Sequence, residues 1–151
     1  MKSRATTLLA GICALGMQLA IAAEGASVAR AAFTSGINSR EPVDRIEQLD
    51  NTANSIYFFT ELRNLAGQTV THRWQYGGET KAEVSFNVGG DRWRVYSSKN
   101  LLPEWTGEWR VDVVDGGGNV IASESFQYGN DSAAKPMDAA AEAAREETEN
   151  N

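Results

Sequence analysis

The stretch Gly107-Glu-Trp-Arg-Val-Asp-Val-Val114, followed by the turn Asp115-Gly-Gly-Gly-Asn119, decides the fold of this chain. An extended pattern resumes after the turn, over residues 120–128. Glycine adopts the positive φ angles of tight turns without steric cost, so this stretch predicts two antiparallel strands joined as a hairpin. The loop lacks the strand-to-helix context of a phosphate-binding loop, which leaves the turn as its interpretation.

Further strands are predicted upstream of this hairpin. Residues 82–88 alternate apolar and polar side chains, which is typical of a half-buried strand. Similar segments span residues 28–34, 55–62, 69–76 and 92–98, whereas the polar connection at residues 38–50 contains Pro42, which discourages regular pairing. Seven short strands without a helical period predict an all-β fold, an immunoglobulin-like antiparallel β-sandwich of about seven strands.

The two ends of the chain differ from this β region. Lys2 and Arg4 precede an uncharged apolar run that ends in Ala20-Ile21-Ala22, as in a secretory signal peptide. We expect cleavage after Ala22; the alternative, an uncleaved membrane anchor, would need a longer apolar run. The chain is thus predicted to comprise a signal peptide (residues 1–22), a β-sandwich domain (27–129) and an acidic Ala/Glu-rich tail (130–151), disordered or weakly helical.

Charge and cysteine content narrow the functional classes. Loss of Lys2 and Arg4 takes the formal net charge from −6 to −8, and the single cysteine, Cys13, lies in the predicted signal peptide. A disulfide scaffold and thiol catalysis are therefore excluded for the mature chain, and export points to a bacterial periplasm or to secretion. No cluster of Lys and Arg occurs along the sequence, which argues against nucleic acid and anionic membrane as partners, and no membrane span is expected after cleavage.

The single histidine, His72, is the first candidate for chemistry. It shares a predicted strand face with Val70, Trp74 and Tyr76, so it is either a buried neutral imidazole or a group exposed in a cleft. No second histidine stands at metal-binding spacing, and no nucleophile-elbow pattern surrounds the serines at 97 and 98. We therefore expect no metal, no cofactor and no catalytic triad.

Arginine and tyrosine side chains alternate along residues 92–98. Arg92 and Arg94 share a strand face with Tyr96, which indicates either surface ion pairing or recognition of an anionic or hydroxylated ligand beside an aromatic ring. If the strand of His72 and Trp74 were a neighbour in the same sheet, these side chains would form one surface.

Five short motifs occur in order along the chain. They are Arg40-Glu-Pro-Val-Asp44, Tyr57-Phe-Phe-Thr60, Val70-Thr-His-Arg-Trp74, Arg92-Trp-Arg-Val-Tyr-Ser97 and Gly107-Glu-Trp-Arg-Val111, with Asp115-Gly116 and Phe126 after them. Together, over residues 31–128, they resemble the bacterial domain-of-unknown-function family 2914. The resemblance implies an exported or membrane-associated β domain in bacteria and transfers no catalytic residue. It directs attention to the matched polar and aromatic positions Arg40, Asp44, His72, Trp74 and Arg94.

These observations favour an exported, non-catalytic binding or interaction module of the cell envelope. Its partner would be an envelope polymer or a periplasmic protein, and the candidate ligand-binding residues are His72, Trp74, Arg94, Tyr96, Arg40 and Asp44. Two alternatives remain open: a hydrolase of envelope polymer that uses carboxylates or His72, and a purely structural accessory domain. A His72 with a strongly shifted pKa in an open cleft would favour the hydrolase, and a His72 without solvent access would count against it.

Overall fold

The computed structural model describes residues 25–129, in which every regular element is a β-strand. The strands are β1 (Ser27–Thr34), β2 (Ile37–Asn38), β3 (Glu41–Pro42), β4 (Gln48–Leu49), β5 (Ser55–Arg63), β6 (Thr69–Tyr76), β7 (Glu79–Asn87), β8 (Arg92–Asn100), β9 (Gly107–Val114) and β10 (Val120–Tyr128). The seven strands predicted from the sequence are the seven long ones. The predicted signal peptide, residues 1–22, and the predicted tail, residues 130–151, lie outside the described residues.

The long strands form two sheets that pack face to face. One sheet has the order β1-β5-β8, and the other has the order β4-β10-β9-β6-β7. All pairings between long strands are antiparallel, while the short β4 pairs with β10 in parallel. The connections from β5 to β6 and from β7 to β8 each cross between the sheets. The predicted immunoglobulin-like β-sandwich is confirmed.

The connection between β1 and β5 is more regular than the sequence predicts. Ile37 pairs with Pro42 and Asn38 with Glu41, and the turn residues Ser39 and Arg40 have φ angles of 50° and 63°. Left-handed φ at both central positions is the geometry of a two-residue hairpin turn. Proline is tolerated at a sheet edge, and a hairpin of two short strands consists of edges alone, so Pro42 does not prevent this pairing.

The core between the sheets is rich in aromatic rings. The Phe33 ring lies 4.8 Å from that of Phe58 and 4.6 Å from that of Phe126, and Trp74 completes the group at 5.9 Å from Phe33. All four side chains are buried. Because each aromatic side chain buries a large apolar surface, this cluster supplies the stability that a disulfide-free domain requires.

A second aromatic group closes one end of the sandwich. Trp109 is fully buried, stacks on Tyr76 at 4.8 Å between centroids, and donates its indole N–H to the Trp105 carbonyl at 3.0 Å. Trp105 follows Leu101-Leu102-Pro103-Glu104, a segment without apolar–polar alternation, so the sequence predicts either a cap on the core or an exposed platform for its ring. In the structure it packs against Trp109 and carries the Lys99 ammonium over its ring, so it caps the core.

Candidate functional site

His72 lies in the middle of β6, and its imidazole is enclosed between the two sheets without solvent-accessible surface. Thr60 Oγ1 on β5 lies 3.0 Å from Nε2, and Ser97 Oγ on β8 lies 2.9 Å from Nδ1. The rings of Phe58 and Phe86 contact the imidazole edge-on, each with a centroid separation of 4.9 Å. No carboxylate among residues 25–129 hydrogen-bonds to His72. Its partners are therefore hydroxyls and apolar rings.

This environment decides the protonation state of His72. Burial lowers the pKa of His72 to about 3, because the imidazolium form would lose its hydration without gaining a counter-charge. Each neighbouring hydroxyl can donate or accept, so the neutral ring is satisfied in either tautomer. A neutral imidazole without solvent access cannot exchange a proton with a ligand, and this placement counts against a hydrolase that uses His72.

Trp74 is also fully buried and belongs to the same polar cluster. Its indole N–H donates to Ser97 Oγ at 3.0 Å, so the single serine hydroxyl contacts both Trp74 and His72. The sequence suggested that His72 and Trp74 would form one surface with Arg94 and Tyr96 if their strands were neighbours. The strand order shows that they are not neighbours. The strands β6 and β8 belong to different sheets, and they face each other only through the core.

The outward face of the three-stranded sheet carries a cluster of charges. We call it the arginine face and define it by six residues: Arg30, Arg63, Arg92, Arg94, Glu41 and Glu61. Five of them stand on β1, β5 and β8, and Glu41 reaches them from β3. Four of the eight arginines between residues 25 and 129 are gathered here, and with two glutamates they give the face a formal charge of +2.

Glu61 is the centre of the arginine face. Its side chain is only 3% exposed, yet its carboxylate accepts hydrogen bonds from three guanidinium groups. The donors are Arg92 at 3.0 and 3.2 Å, Arg30 at 2.6 and 3.2 Å, and Arg63 at 2.5 Å. These bonds, above all those from Arg92, hold the pKa of Glu61 down to about 2. A buried carboxylate therefore fixes the positions of three partly exposed cations.

Glu41 extends the network from the β2–β3 hairpin. Arg30 donates to its two oxygens at 2.8 and 3.0 Å, and Arg94 donates to one of them. The hydrogen bonds from Arg30, followed by the one from Arg94, lower the pKa of Glu41 to about 2. Arg40, in the hairpin turn, is exposed and forms no ion pair with another residue in the 25–129 range. The hairpin thus places one ion-paired glutamate and one exposed arginine beside the sheet.

Asp44 has a different role from the other candidate residues. It accepts hydrogen bonds from Thr34 Oγ1 at 2.7 Å, from the Ser35 backbone N–H at 2.8 Å and from Ser35 Oγ at 2.5 Å. The bonds from Ser35 and then Thr34 lower its pKa. Asp44 therefore fastens the hairpin connection to the end of β1.

Aromatic side chains continue the arginine face along the sheet. Tyr96, two residues after Arg94 on the same face of β8, is 47% exposed, and its ring lies 6.3 Å from that of Tyr57. Phe59 is buried below the Arg30 guanidinium, whose carbon lies 5.1 Å from the ring centroid. The outward surface of this sheet therefore changes from charged to aromatic along its strands.

The other sheet provides a useful comparison. Its outward face also contains a buried carboxylate, Asp112, which accepts two hydrogen bonds from Arg110 at 2.6 and 2.9 Å. Gln75 and Ser123 donate to the same carboxylate at 3.0 and 2.6 Å. The bonds from Arg110 lower the pKa of Asp112. The cation Arg110 pairs with the single anion Asp112, so this cluster, unlike the arginine face, has no surplus positive charge.

The structure separates the six candidate residues into three groups. His72 and Trp74 lie in the core, Arg94 and Tyr96 lie on the outward face of β8, and Arg40 and Asp44 lie in the connection around β3. Sequence reasoning missed the contribution of residues 30, 41, 61 and 63. The only signal in the sequence was alternation, which places residues 61 and 63 on one face of β5 and residues 92 and 94 on one face of β8. Alternation did not reveal that β5 and β8 are neighbouring strands.

Comparison with known proteins supports the resemblance seen in the motifs. Residues 67–128 match DUF2914, a family described as a protein of unknown function. The matched segment covers β6 to β10 and includes His72, Trp74, Arg94 and Tyr96, whereas the motifs at residues 40–44 and 57–60 precede it. The resemblance to DUF2914 is confirmed over this segment. No curated protein matches the chain.

Two further features of the described range concern other kinds of site. No helix within residues 25–129 is long and apolar enough to cross a membrane. In the same range, no group of three or more His, Cys, Asp or Glu side chains is arranged to hold a metal ion.

Proposed function

We propose that this chain is an exported, non-catalytic binding or interaction module of the bacterial cell envelope that engages its partner through the arginine face. The observation that carries this proposal is the set of partly exposed guanidinium groups fixed by the buried carboxylate of Glu61. Recognition requires groups that are presented in a fixed geometry, and this face presents them beside the exposed ring of Tyr96.

The proposed location in the cell envelope is inferred from the signal-like sequence at the N-terminus. Expression of the full chain in a bacterial host tests it. The intact mass of the protein released by osmotic shock should correspond to a chain that begins at Ala23, as expected for cleavage after Ala22. Retention of the uncleaved chain in the cytoplasmic fraction would contradict the export part of the proposal.

Binding through the arginine face is tested by paired variants. The mature protein, the double variant Arg92→Gln/Arg94→Gln and the control Arg110→Gln are immobilised and incubated with solubilised envelope material. Circular dichroism and thermal melting establish first that all three are folded. We expect the double variant to lose the components that wild type and the control retain. If the double variant captures the same components, the proposed surface is wrong, and a purely structural role gains support.

A further inference from the structure

We infer that the arginine face binds a phosphate group, free or as an ester of a larger partner molecule. This inference rests on the proposed function, because it names the chemistry that the same surface recognises. It depends on the charge of the face, on its unused hydrogen-bond donors, on their spacing and on their fixation by Glu61.

The charge of the face matches a phosphate better than a carboxylate. Four arginines and two glutamates leave a formal charge of +2 on a domain whose remaining charge is predominantly acidic. A phosphate monoester carries about −1.5 to −2 charges near neutral pH, whereas a carboxylate carries one. One phosphate can therefore neutralise the face, and one carboxylate cannot.

The donors of the face are only partly used. A guanidinium group offers five N–H donors. In contacts within residues 25–129, Arg63 makes one hydrogen bond, Arg92 makes two and Arg94 makes one. Their side chains are 42%, 54% and 30% exposed, respectively. Each of these three cations therefore keeps donors for a ligand.

The spacing of these arginines suits a ligand with several acceptor oxygens. Arg63 and Arg92 are directly opposite each other on neighbouring antiparallel strands, so their Cα atoms are about 5 Å apart. Arg94 lies on the same face two residues further along β8, or about 7 Å. A phosphate monoester presents three terminal oxygens and a carboxylate presents two, so a phosphate has more acceptor positions to share among the three guanidinium groups.

The buried carboxylate holds these cations in place before a ligand arrives. Glu61 binds the Arg63 and Arg92 guanidinium groups at 2.5 to 3.2 Å, so part of their conformational entropy is already lost in the free protein. Binding then costs less ordering than it would for unrestrained surface arginines. Glu61 is thus a positioning residue for the proposed phosphate site.

The C-terminal half of the free edge of β1 is not available for an added peptide strand. The Ile46 backbone N–H donates to the Phe33 carbonyl at 2.9 Å, and Arg45 donates to the Ala31 carbonyl at 3.2 Å. An extended peptide would need these acceptors to pair with the sheet at this edge. This closure favours a ligand recognised by side chains on the sheet face over a peptide that extends the sheet beside β1.

Isothermal titration calorimetry at matched ionic strength tests the inference. The probes are tripolyphosphate and tricarballylate, a small molecule with three carboxylates. The proteins are wild type, Arg63→Gln/Arg92→Gln and the control Arg110→Gln, all as the mature chain. We expect wild type and the control to bind tripolyphosphate at least about tenfold more tightly than tricarballylate, and the double variant to lose at least about tenfold in affinity for tripolyphosphate. Equal affinity for the two probes, or unchanged binding by the double variant, would overturn the inference.

Further probes distinguish phosphate on a polymer from phosphate in a small compound. They also distinguish failure of phosphate binding from failure of partner binding by the arginine face. Binding of phosphorylated dextran but not of plain dextran indicates phosphate on a polymer, and binding of tripolyphosphate alone indicates a small phosphate compound; both support the inference. If envelope capture depends on the arginine face while none of the phosphate probes binds, the proposed function stands and the phosphate inference fails. Tight binding of polyglutamate in place of the phosphate probes would also overturn the phosphate inference and would indicate an acidic protein partner.

Discussion

The stability of this domain should fall as the pH is lowered from neutral to pH 5, and His72 should cause most of the fall. It is the only histidine in the chain, so no other imidazole titrates in this range. The pKa of an unfolded histidine is about 6.5, and burial lowers the pKa of His72 to about 3 in the folded state. Because the folded pKa is depressed, the unfolded chain binds the proton first, and stability that is complete above the unfolded pKa is lost as the pH falls towards the folded pKa.

The size of the effect follows from these two pKa values. Proton linkage between pKa values of 6.5 and about 3 gives a loss of about 2 kcal/mol in the free energy of unfolding between pH 7 and pH 5. The carboxyl groups of Glu41 and Glu61 have pKa values of about 2 in the folded protein. Their unfolded values are near about 4.3, so their own losses develop mainly at lower pH. The interval between pH 7 and pH 5 therefore isolates the contribution of His72.

Urea unfolding followed by tryptophan fluorescence measures this loss at pH 7, 6 and 5. The matched control is His72→Gln, whose amide can still bond to Thr60 or Ser97 but does not titrate. We expect this variant to be less stable than wild type at pH 7 and to show a nearly flat pH profile. A wild-type free energy that differs by less than about 0.5 kcal/mol between pH 7 and pH 5 would refute the burial of a neutral His72, as would an undiminished fall in the variant.

The remaining predictions concern packing, ion pairing and backbone strain. Trp74→Phe should lower the free energy of unfolding by about 1–3 kcal/mol, because it removes core volume and the N–H bond to Ser97, and urea unfolding measures the loss. Glu61→Gln should cost about 1–3 kcal/mol at neutral pH, since a neutral amide cannot satisfy three guanidinium groups; thermal melting without such a loss would contradict the central role of Glu61. Ser39→Gly should stabilise the domain by about 0.5 kcal/mol because the φ angle of 50° suits glycine, whereas Gly77→Ala, at a φ angle of 59°, should destabilise it by about 1 kcal/mol; calorimetric melting temperatures that shift in the same direction would contradict this assignment.

Much of the fold follows from local pattern. Alternation of apolar and polar residues identified the seven long strands, and the glycine-rich turn after Val114 identified the hairpin of β9 and β10. The β2–β3 hairpin was not predicted, because its turn residues Ser39 and Arg40 adopt left-handed φ angles without the glycine that usually signals them.

The candidate site was only partly predictable. The alternation in residues 92–98 correctly placed Arg94 and Tyr96 on one side of a strand, and the alternation in residues 69–76 placed His72 and Trp74 on one side of another. It gave no information about which side faces the core. Thr60 and Ser97 are polar and still point inward, where they bond to the imidazole and the indole, so hydropathy alone would have assigned them to the surface.

The sequence by itself determined the all-β class, the positions of the long strands and the scarcity of catalytic groups, because these depend on side-chain periodicity and on composition. Only the tertiary structure decided that β5 lies between β1 and β8, which brings Arg30, Glu61 and Arg94 into one row. Strand order depends on contacts between residues that are far apart in the chain, and the periodicity of a single strand does not contain them. The same long-range contacts enclose His72 in the core and bring the four arginines of the arginine face together on the surface.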